Sequence, residues 1–285
     1  MVSKELKKKI DRAILLLQSV QHGYDGQIEV AYSGGKDSDV ILQLAKEAGI
    51  NYRAIYRNTT IDPPGTIAHV KRMGVEIRRP KENFFQLVAR KGFPNRFSRF
   101  CCEILKEYKV LDKCIMGVRK SESSKRNNRY NEPTECRFYG SKTEKNHVEA
   151  IYPILDWTDD DVLNFILDRG IKVAPIYYNW GGDSQPDMSR RLGCMCCPLA
   201  TERKRILYFK EVPKMVRCYL RAGKKFWDTH PEAKVRQRYA DVYEWFTRDL
   251  FYPREKDWQK ANDTLFEKPN YKDFLEQQFG VDLTI

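Results

Sequence analysis

The sequence predicts an α/β fold: a five-stranded parallel sheet with helices on both faces, followed by a helical C-terminal region. Two observations carry this. Short apolar strands alternate with amphipathic helices from Ile28 to Ile154, a pattern of parallel sheets covered on both faces. From residue 201 onward the strand pattern stops and the chain reads as helical and basic.

Taken in order, residues 4–21 place Ile10, Ala13, Ile14 and Leu17 at helical spacing. GQIEVAYSGG then reads as a strand entering a glycine turn, and 38–48 as a helix ended by Gly49. A second strand spans 52–57, a helix runs from Pro64 to Met73, and a third strand spans 75–79. Helices follow at 82–91 and 100–111, a fourth strand at 113–118 and a fifth at 148–154. Right-handed crossovers favour an order such as 3-2-1-4-5. Its switch point lies between the first strand and the strand at 113–118, where ligands of such sheets bind. Residues 120–147 are polar and lack apolar periodicity, which reads as a long mobile insertion or lid. Thr158 caps a further helix with acids in its first turn, and 175–199 is loop-like. The expected domains are 1–199, binding nucleotide, and a basic helical region at 200–285.

The 285 residues suit one large domain, or one with an appendage. Hydrophobic residues at 41% and aromatics at 12% supply a core. The longest purely apolar run is Ala13 to Leu17, far short of the roughly 20 residues of a membrane span. The N-terminus lacks the apolar stretch of a signal peptide, so a cytoplasmic protein with no membrane partner is expected. A net charge of +12 points to polyanionic partners, nucleotides or nucleic acid. The eight cysteines stand at 101, 102, 114, 136, 194, 196, 197 and 218. A reducing cytoplasm disfavours disulfides, and the two tight clusters point to metal or redox chemistry.

Ser33, Gly34, Gly35, Lys36, Asp37 and Ser38 follow a strand and open a helix. The glycines let backbone amides approach a ligand, and the helix start adds free N–H groups and positive dipole. Both serines can donate hydroxyl hydrogen bonds, Lys36 adds charge, and Asp37 can hold Mg²⁺ or position the loop. This makes a phosphate or pyrophosphate cradle, but not a Walker A loop, whose spacing is absent.

SGGKDS resembles the PP-loop of the ATP pyrophosphatases, in particular their phosphoadenosine phosphosulfate (PAPS) reductase-like branch. TTIDPPGT at 59–66, GFPNRFSRFCCEILK at 92–106, GVRKSESSKR at 117–126 and RRLGCMCCP at 190–198 agree with that branch in order. The resemblance implies a PP-loop, adenine nucleotide alpha hydrolase-like sheet that binds ATP or PAPS. It implies catalytic roles for Lys36, Asp37 and Arg119, and nucleotide contacts from Asn58, Thr59, Gly117, Glu122 and Ser123 besides the loop. Arg57 and Asp62 occupy the same adenosine-side region. Arg119 and Arg126 can clamp phosphate or sulfate through bidentate bonds, and Arg96 and Arg99 are further anion candidates.

Cys101-Cys102 and the Cys194/Cys197 pair can bring four thiolates to one site, which suits zinc or an iron–sulfur cluster. The Cys-Cys … Cys-x-x-Cys arrangement resembles iron–sulfur sulfonucleotide reductases and DNA-phosphorothioation enzymes. A [4Fe–4S] cluster on Cys101, Cys102, Cys194 and Cys197 is therefore expected, with zinc and free or disulfide-forming thiols as alternatives and Cys196 as an extra thiol. Cys114 reads as buried packing, Cys218 as a helix-core or surface residue, and Cys136 as incidental, with a sulfur-relay thiol the alternative.

Reductases of this family use a cysteine in a C-terminal Glu-Cys-Gly-Leu-His motif; here the last cysteine is Cys218. That favours the family's other chemistry. ATP adenylates an acceptor oxygen, pyrophosphate leaves, and sulfur displaces AMP. The sulfur comes from the cluster or a partner such as a cysteine desulfurase. Residues 201–238 hold twelve Lys or Arg against four acids, with interleaved aromatics, as in base-stacking surfaces. The expected function is thus sulfur transfer to nucleic acid, with DNA phosphorothioation its most specific form. Sulfonucleotide reduction and a non-catalytic nucleotide-sensing or DNA-binding module are the alternatives.

Overall fold

A computed structural model describes residues 2–140, 145–178, 185–195, 197–251 and 270–285. The chain gathers into two compact units. The first holds residues 1–58, 62–80 and 103–193; the second holds 59–61, 81–102 and 194–285.

The first unit is built on a sheet. Helix α1 (Lys4–Gln21) starts at Ser3, whose hydroxyl accepts from the Leu6 amide at 3.1 Å, and it buries Leu6, Ile10, Ala13 and Leu17. Then come β1 (Ile28–Ala31), α2 (Lys36–Ala48), β2 (Tyr52–Arg57), α3 (Thr66–Arg72) and β3 (Glu76–Arg78). After α4 (Phe84–Lys91) and α5 (Phe100–Leu105) come β4 (Lys113–Ile115), a 3-10 turn (Lys120–Glu122), α6 (Ser124–Arg129), β5 (Thr134–Gly140) and β6 (Lys145–Ile151). Helix α7 (Asp159–Asp168) begins with a capping box between Thr158 and Asp161. The strand order is β3-β2-β1-β4-β6-β5. Val30 pairs with Ala54 on one side and Ile115 on the other, and Ile115 pairs with Ile151, all in parallel. β6 starts three residues earlier than expected and is the fifth parallel strand, so the expected order 3-2-1-4-5 is present.

Two expectations change. The sheet has a sixth strand: β5 pairs antiparallel with β6, from Thr134↔Ile151 to Gly140↔Lys145. The stretch read as a mobile insertion at 120–147 therefore carries a turn, a helix and a hairpin, apart from 141–144, which lie outside the described residues. Polar residues hide the strand, which is held by its backbone ladder with β6; on it Glu135 meets Arg129 at 2.8 Å and Arg137 at 3.4 Å, and accepts from the Tyr152 hydroxyl at 2.6 Å. The second change concerns the helix expected over 100–111, which ends at Leu105. Arg57 donates to the carbonyls of Tyr108 and Lys109, both at 2.9 Å, and Arg78 to that of Lys109 at 3.0 Å. Those carbonyls are taken from the helical ladder, and Lys109 turns to φ +49°. The same guanidinium pairs with the fully buried Glu29 of β1. Arg57 thus ties the sheet to the 108–109 turn rather than serving an adenosine pocket.

The second unit is helical: α4 (Phe84–Lys91), α8 (Glu202–Glu211), α9 (Lys214–Thr229), α10 (Lys234–Arg238), α11 (Val242–Phe246) and α12 (Tyr271–Phe279). α5 (Phe100–Leu105) lies where the chain passes from this unit back to the first. Its core is aromatic. The Phe93 and Trp245 rings lie 4.3 Å apart, and Phe84 and Tyr219 5.2 Å apart. Tyr208, Phe209 and Tyr219, three of the interleaved aromatics, are buried in this core and present no stacking surface. Among the described residues, no helix is long and apolar enough to cross a membrane.

Candidate functional site

In the first unit, the glycine loop leaves β1 and enters α2 beside the loop that leaves β4, at the switch of strand order. Asp39 opens the backbone ladder of α2 by donating to the Gly35 carbonyl at 3.0 Å. Ahead of it, the Lys36 amide donates to the Tyr177 hydroxyl at 3.1 Å. Ser38 donates to the Gly35 carbonyl at 2.7 Å and accepts from Ser33 at 3.3 Å, which fixes the loop's curvature. Gly34 sits at φ +81°, and a Cβ there would meet Thr66 Cγ2 at 3.0 Å. Both the conformation and the close approach call for glycine.

These groups border a pocket of about 240 Å³. Ser33, Gly35, Lys36, Asp37 and Ser38 line it from the loop, Gly117, Glu122 and Arg126 from the segment after β4, and Tyr177, Arg191 and Leu192 from further along the chain. Three cations therefore face one polar cavity at a helix start. Lys36 is almost wholly buried, 5.7 Å from the Tyr177 ring centre, and burial pushes its pKa down. Arg126 pairs with Glu122, and Arg191 donates to the Glu122 carbonyl at 2.8 Å. Burial likewise pushes the Tyr177 hydroxyl's pKa up, so it stays protonated while accepting from the amides of Lys36 and Leu192.

Arg119 departs from its expected role. Its guanidinium is buried, donating to Asp37 Oδ1 at 2.7 Å, Asp159 Oδ1 at 2.7 Å and Ser121 Oγ at 3.0 Å. It holds Asp37 rather than facing the pocket. Ser123 is likewise spent: its hydroxyl caps α6 by accepting from the Arg126 amide at 3.2 Å. Asn58, at the end of β2, donates through its amide to Arg78 O at 2.9 Å. Thr59 belongs to the second unit, where it accepts from the Cys194 thiol at 3.6 Å. Tyr177 and Arg191 were not singled out from the sequence; the one available signal was the arginine pair ahead of Gly193.

Gly117 packs on the loop. A Cβ there would lie 3.0 Å from both the carbonyl carbon and oxygen of Asp37, backbone atoms that cannot swing aside. Gly117→Ala is expected to displace the loop and lower kcat/KM for nucleotide turnover by about 10²-fold. Isothermal titration with ATP and steady-state assays check it; an unchanged affinity and turnover would show that the loop has slack.

The second unit gathers the four cysteines. Cys101 and Cys102 lie in α5, and a turn closed by the Cys197 amide on the Cys194 carbonyl (3.2 Å) brings the other pair together. Met195 between them is anchored by its amide on Ile61 O at 2.8 Å. All four cysteines are partly buried. A hydrogen bond with Cys102, then burial, pushes the Cys101 thiol well above its ordinary pKa, and Cys194 and Cys197 add to it electrostatically. Among the described residues, no three Cys, His, Asp or Glu groups close around a single ion. Thiols that act on one another in this way are of the residue type that binds iron–sulfur clusters and zinc. Cys196 lies outside the described residues. Cys114 is fully buried, and Cys136 and Cys218 are exposed.

The chain resembles several known proteins. It is 29% identical over 205 residues to an uncharacterised protein of Methanocaldococcus jannaschii, covering 66% of this chain but 39% of that protein. It is 26% identical over 208 residues to sulfate adenylyltransferase subunit 2 of Sulfurimonas denitrificans, covering 61% of this chain and 67% of the relative. Among solved structures, PAPS reductase from Candida auris in a phosphate complex matches with a TM-score of 0.45 and 16% identity, over 67% of this chain and 98% of that one. The model of the phosphoadenosine phosphosulfate reductase domain matches residues 27–200, which contain the glycine loop and both cysteine clusters, and the chain belongs to that family.

Proposed function

We propose that the protein is a PP-loop ATP pyrophosphatase that activates a nucleic-acid acceptor for sulfur transfer, with DNA phosphorothioation the most specific form. The observation that carries the reading is the pocket in which Lys36, Arg126 and Arg191 converge at the start of α2. Such a site favours a leaving pyrophosphate, whose charge grows as the bond to the α-phosphorus breaks. In the reaction, an acceptor oxygen attacks the α-phosphorus and pyrophosphate departs. A hydrosulfide-level sulfur then forms a bond to the acceptor atom, and AMP leaves with the oxygen. Asp37 and Glu122 are the carboxylates of the pocket, enough to hold a Mg²⁺ that keeps most of its bonds to phosphate and water.

Cys101, Cys102, Cys194 and Cys197 would hold a [4Fe–4S] cluster, which supplies a site for sulfur when bound. A cysteine desulfurase is the matching donor partner, its persulfide sulfur reaching the hydrosulfide level when a pair of thiols supplies two electrons and closes to a disulfide. Anaerobically reconstituted protein is expected to bind about four irons and absorb near about 400 nm. Cys101→Ser or Cys197→Ser should lose most of that iron. Stoichiometric zinc with no such absorbance would assign the thiols to a structural ion instead.

The reading is tested by incubating the protein with Mg-ATP, with and without nucleic acid, and measuring pyrophosphate, with Lys36→Met and Ser38→Ala as controls. Release that both controls abolish supports it. No release under any condition, with sulfite formed from PAPS, would replace it with sulfonucleotide reduction.

A further inference from the structure

Phe97 is the most exposed large apolar side chain described, its ring wholly in solvent. A single exposed apolar side chain is ordinary on a protein surface; what sets this one apart is how it is held and what flanks it. The ring does not sit on a loose tip. Asn95 Oδ1 accepts from the amides of Phe97 (2.9 Å) and Ser98 (2.8 Å), and the Asn95 amide donates to the Ser98 carbonyl at 3.2 Å. Arginines stand on either side. Arg96 Nε donates to the Pro198 carbonyl at 3.2 Å, which ties this turn to the residue after Cys197 and sets the half-exposed Leu199 close by. Arg99 is exposed, and its carbonyl accepts from the Cys102 amide at 2.9 Å. A rigid aromatic tip, two guanidinium groups and the cysteine set thus share one short stretch of the second unit.

We propose that Phe97 is a stacking platform for an unpaired base of the nucleic-acid substrate, with Arg96 and Arg99 on the flanking phosphates. This rests on the acceptor named above and specifies its form. A lone protruding ring reaches a base face only where the base is out of the duplex. The flanking cations select a phosphate-bearing partner over an apolar protein surface, and the charge of residues 201–238 has the same sign. The contact gives the substrate a fixed point four residues before Cys101.

Fluorescence anisotropy on the full chain tests this with single-stranded DNA and RNA of roughly 20 nucleotides and the matching duplex, from about 50 to about 300 mM salt. Phe97→Ala is expected to weaken single-strand binding about tenfold and leave duplex binding and the salt slope unchanged. Phe97→Trp should restore affinity and show tryptophan quenching on binding. Arg99→Ala should flatten the salt dependence by close to one phosphate contact. Because the Phe97 ring packs on nothing, its removal leaves no cavity, and thermal unfolding of Phe97→Ala should match the parent. Wild-type binding to single strands that Phe97→Ala leaves intact would overturn the platform while the acceptor reading stands. So would loss of a protein partner by Phe97→Ala with oligonucleotide binding unchanged. Wild-type protein that binds no single strand at all would remove the nucleic-acid acceptor itself.

Discussion

Lys36→Met is expected to abolish nucleotide turnover, by roughly 10²–10³-fold in kcat, while leaving the apoprotein as stable or more so. Lys36 is almost wholly buried, and its nearest acid, Asp37, is 3.7 Å away with one oxygen already engaged by Arg119. Burial is the largest influence on it and drives its pKa below 10.5. The sign follows from linkage. The unfolded chain holds that proton more tightly than the folded one, so stability rises with pH from the lowered folded pKa up to 10.5. Below that window the charged amine is a standing cost to the fold, kept because phosphate can use it. Bound nucleotide should reverse the cost, since a phosphate beside Lys36 favours its charged form. Thermal unfolding checks both halves. Mg-ATP should raise the Tm of the parent and not of Lys36→Met, and that Tm shift should fade as pH rises through the lowered pKa. A nucleotide-induced shift that survives the substitution would take Lys36 out of the phosphate site.

Much of this arrangement is legible before any coordinates. The strand–turn–helix run around Ser33–Ser38 and the parallel order of five strands follow from local periodicity and crossover handedness, since each rests on neighbours in sequence. What escaped depends on partners far along the chain. β5 carries charges because it lies at a sheet edge, where Glu135 is held by arginines rather than by a core. The aromatics of α8 and α9 look like a stacking surface until α4 and α11 are packed against them. Tyr177 enters the pocket at the start of α2 from a loop 141 residues beyond Lys36, and nothing near it in sequence announces a backbone acceptor. Arg57 and Arg119 show the same limit from the other side. The resemblance put Arg57 on the adenosine side and Arg119 on phosphate, but each guanidinium is engaged by carboxylates and carbonyls of its own unit.

Arg119→Met is accordingly expected to act through the fold and through Asp37, not through a lost phosphate contact. Arg119 is 1% exposed and spans Asp37 and Asp159 with two separate nitrogens, both at 2.7 Å. The two acids differ: Asp159 is mostly in solvent and loses little, whereas Asp37 is largely buried and would be left with only a distant lysine. Removing one partner of a buried ion pair costs about 3–5 kcal/mol, and the solvent access of Asp159 places this case toward the lower end. Arg119→Lys should recover little, because a single ammonium cannot reach both carboxylates in the guanidinium's planar fork. Asp159→Asn should be mild in stability and leave turnover close to the parent, since Arg119 keeps Asp37. A direct phosphate clamp predicts the opposite: Arg119→Met would keep its Tm, raise the KM for ATP steeply, and be partly rescued by lysine. Unfolding curves and ATP kinetics on these three variants decide between the two. Stability lost in step with kcat, with KM little changed, identifies Arg119 as a positioning residue for the loop.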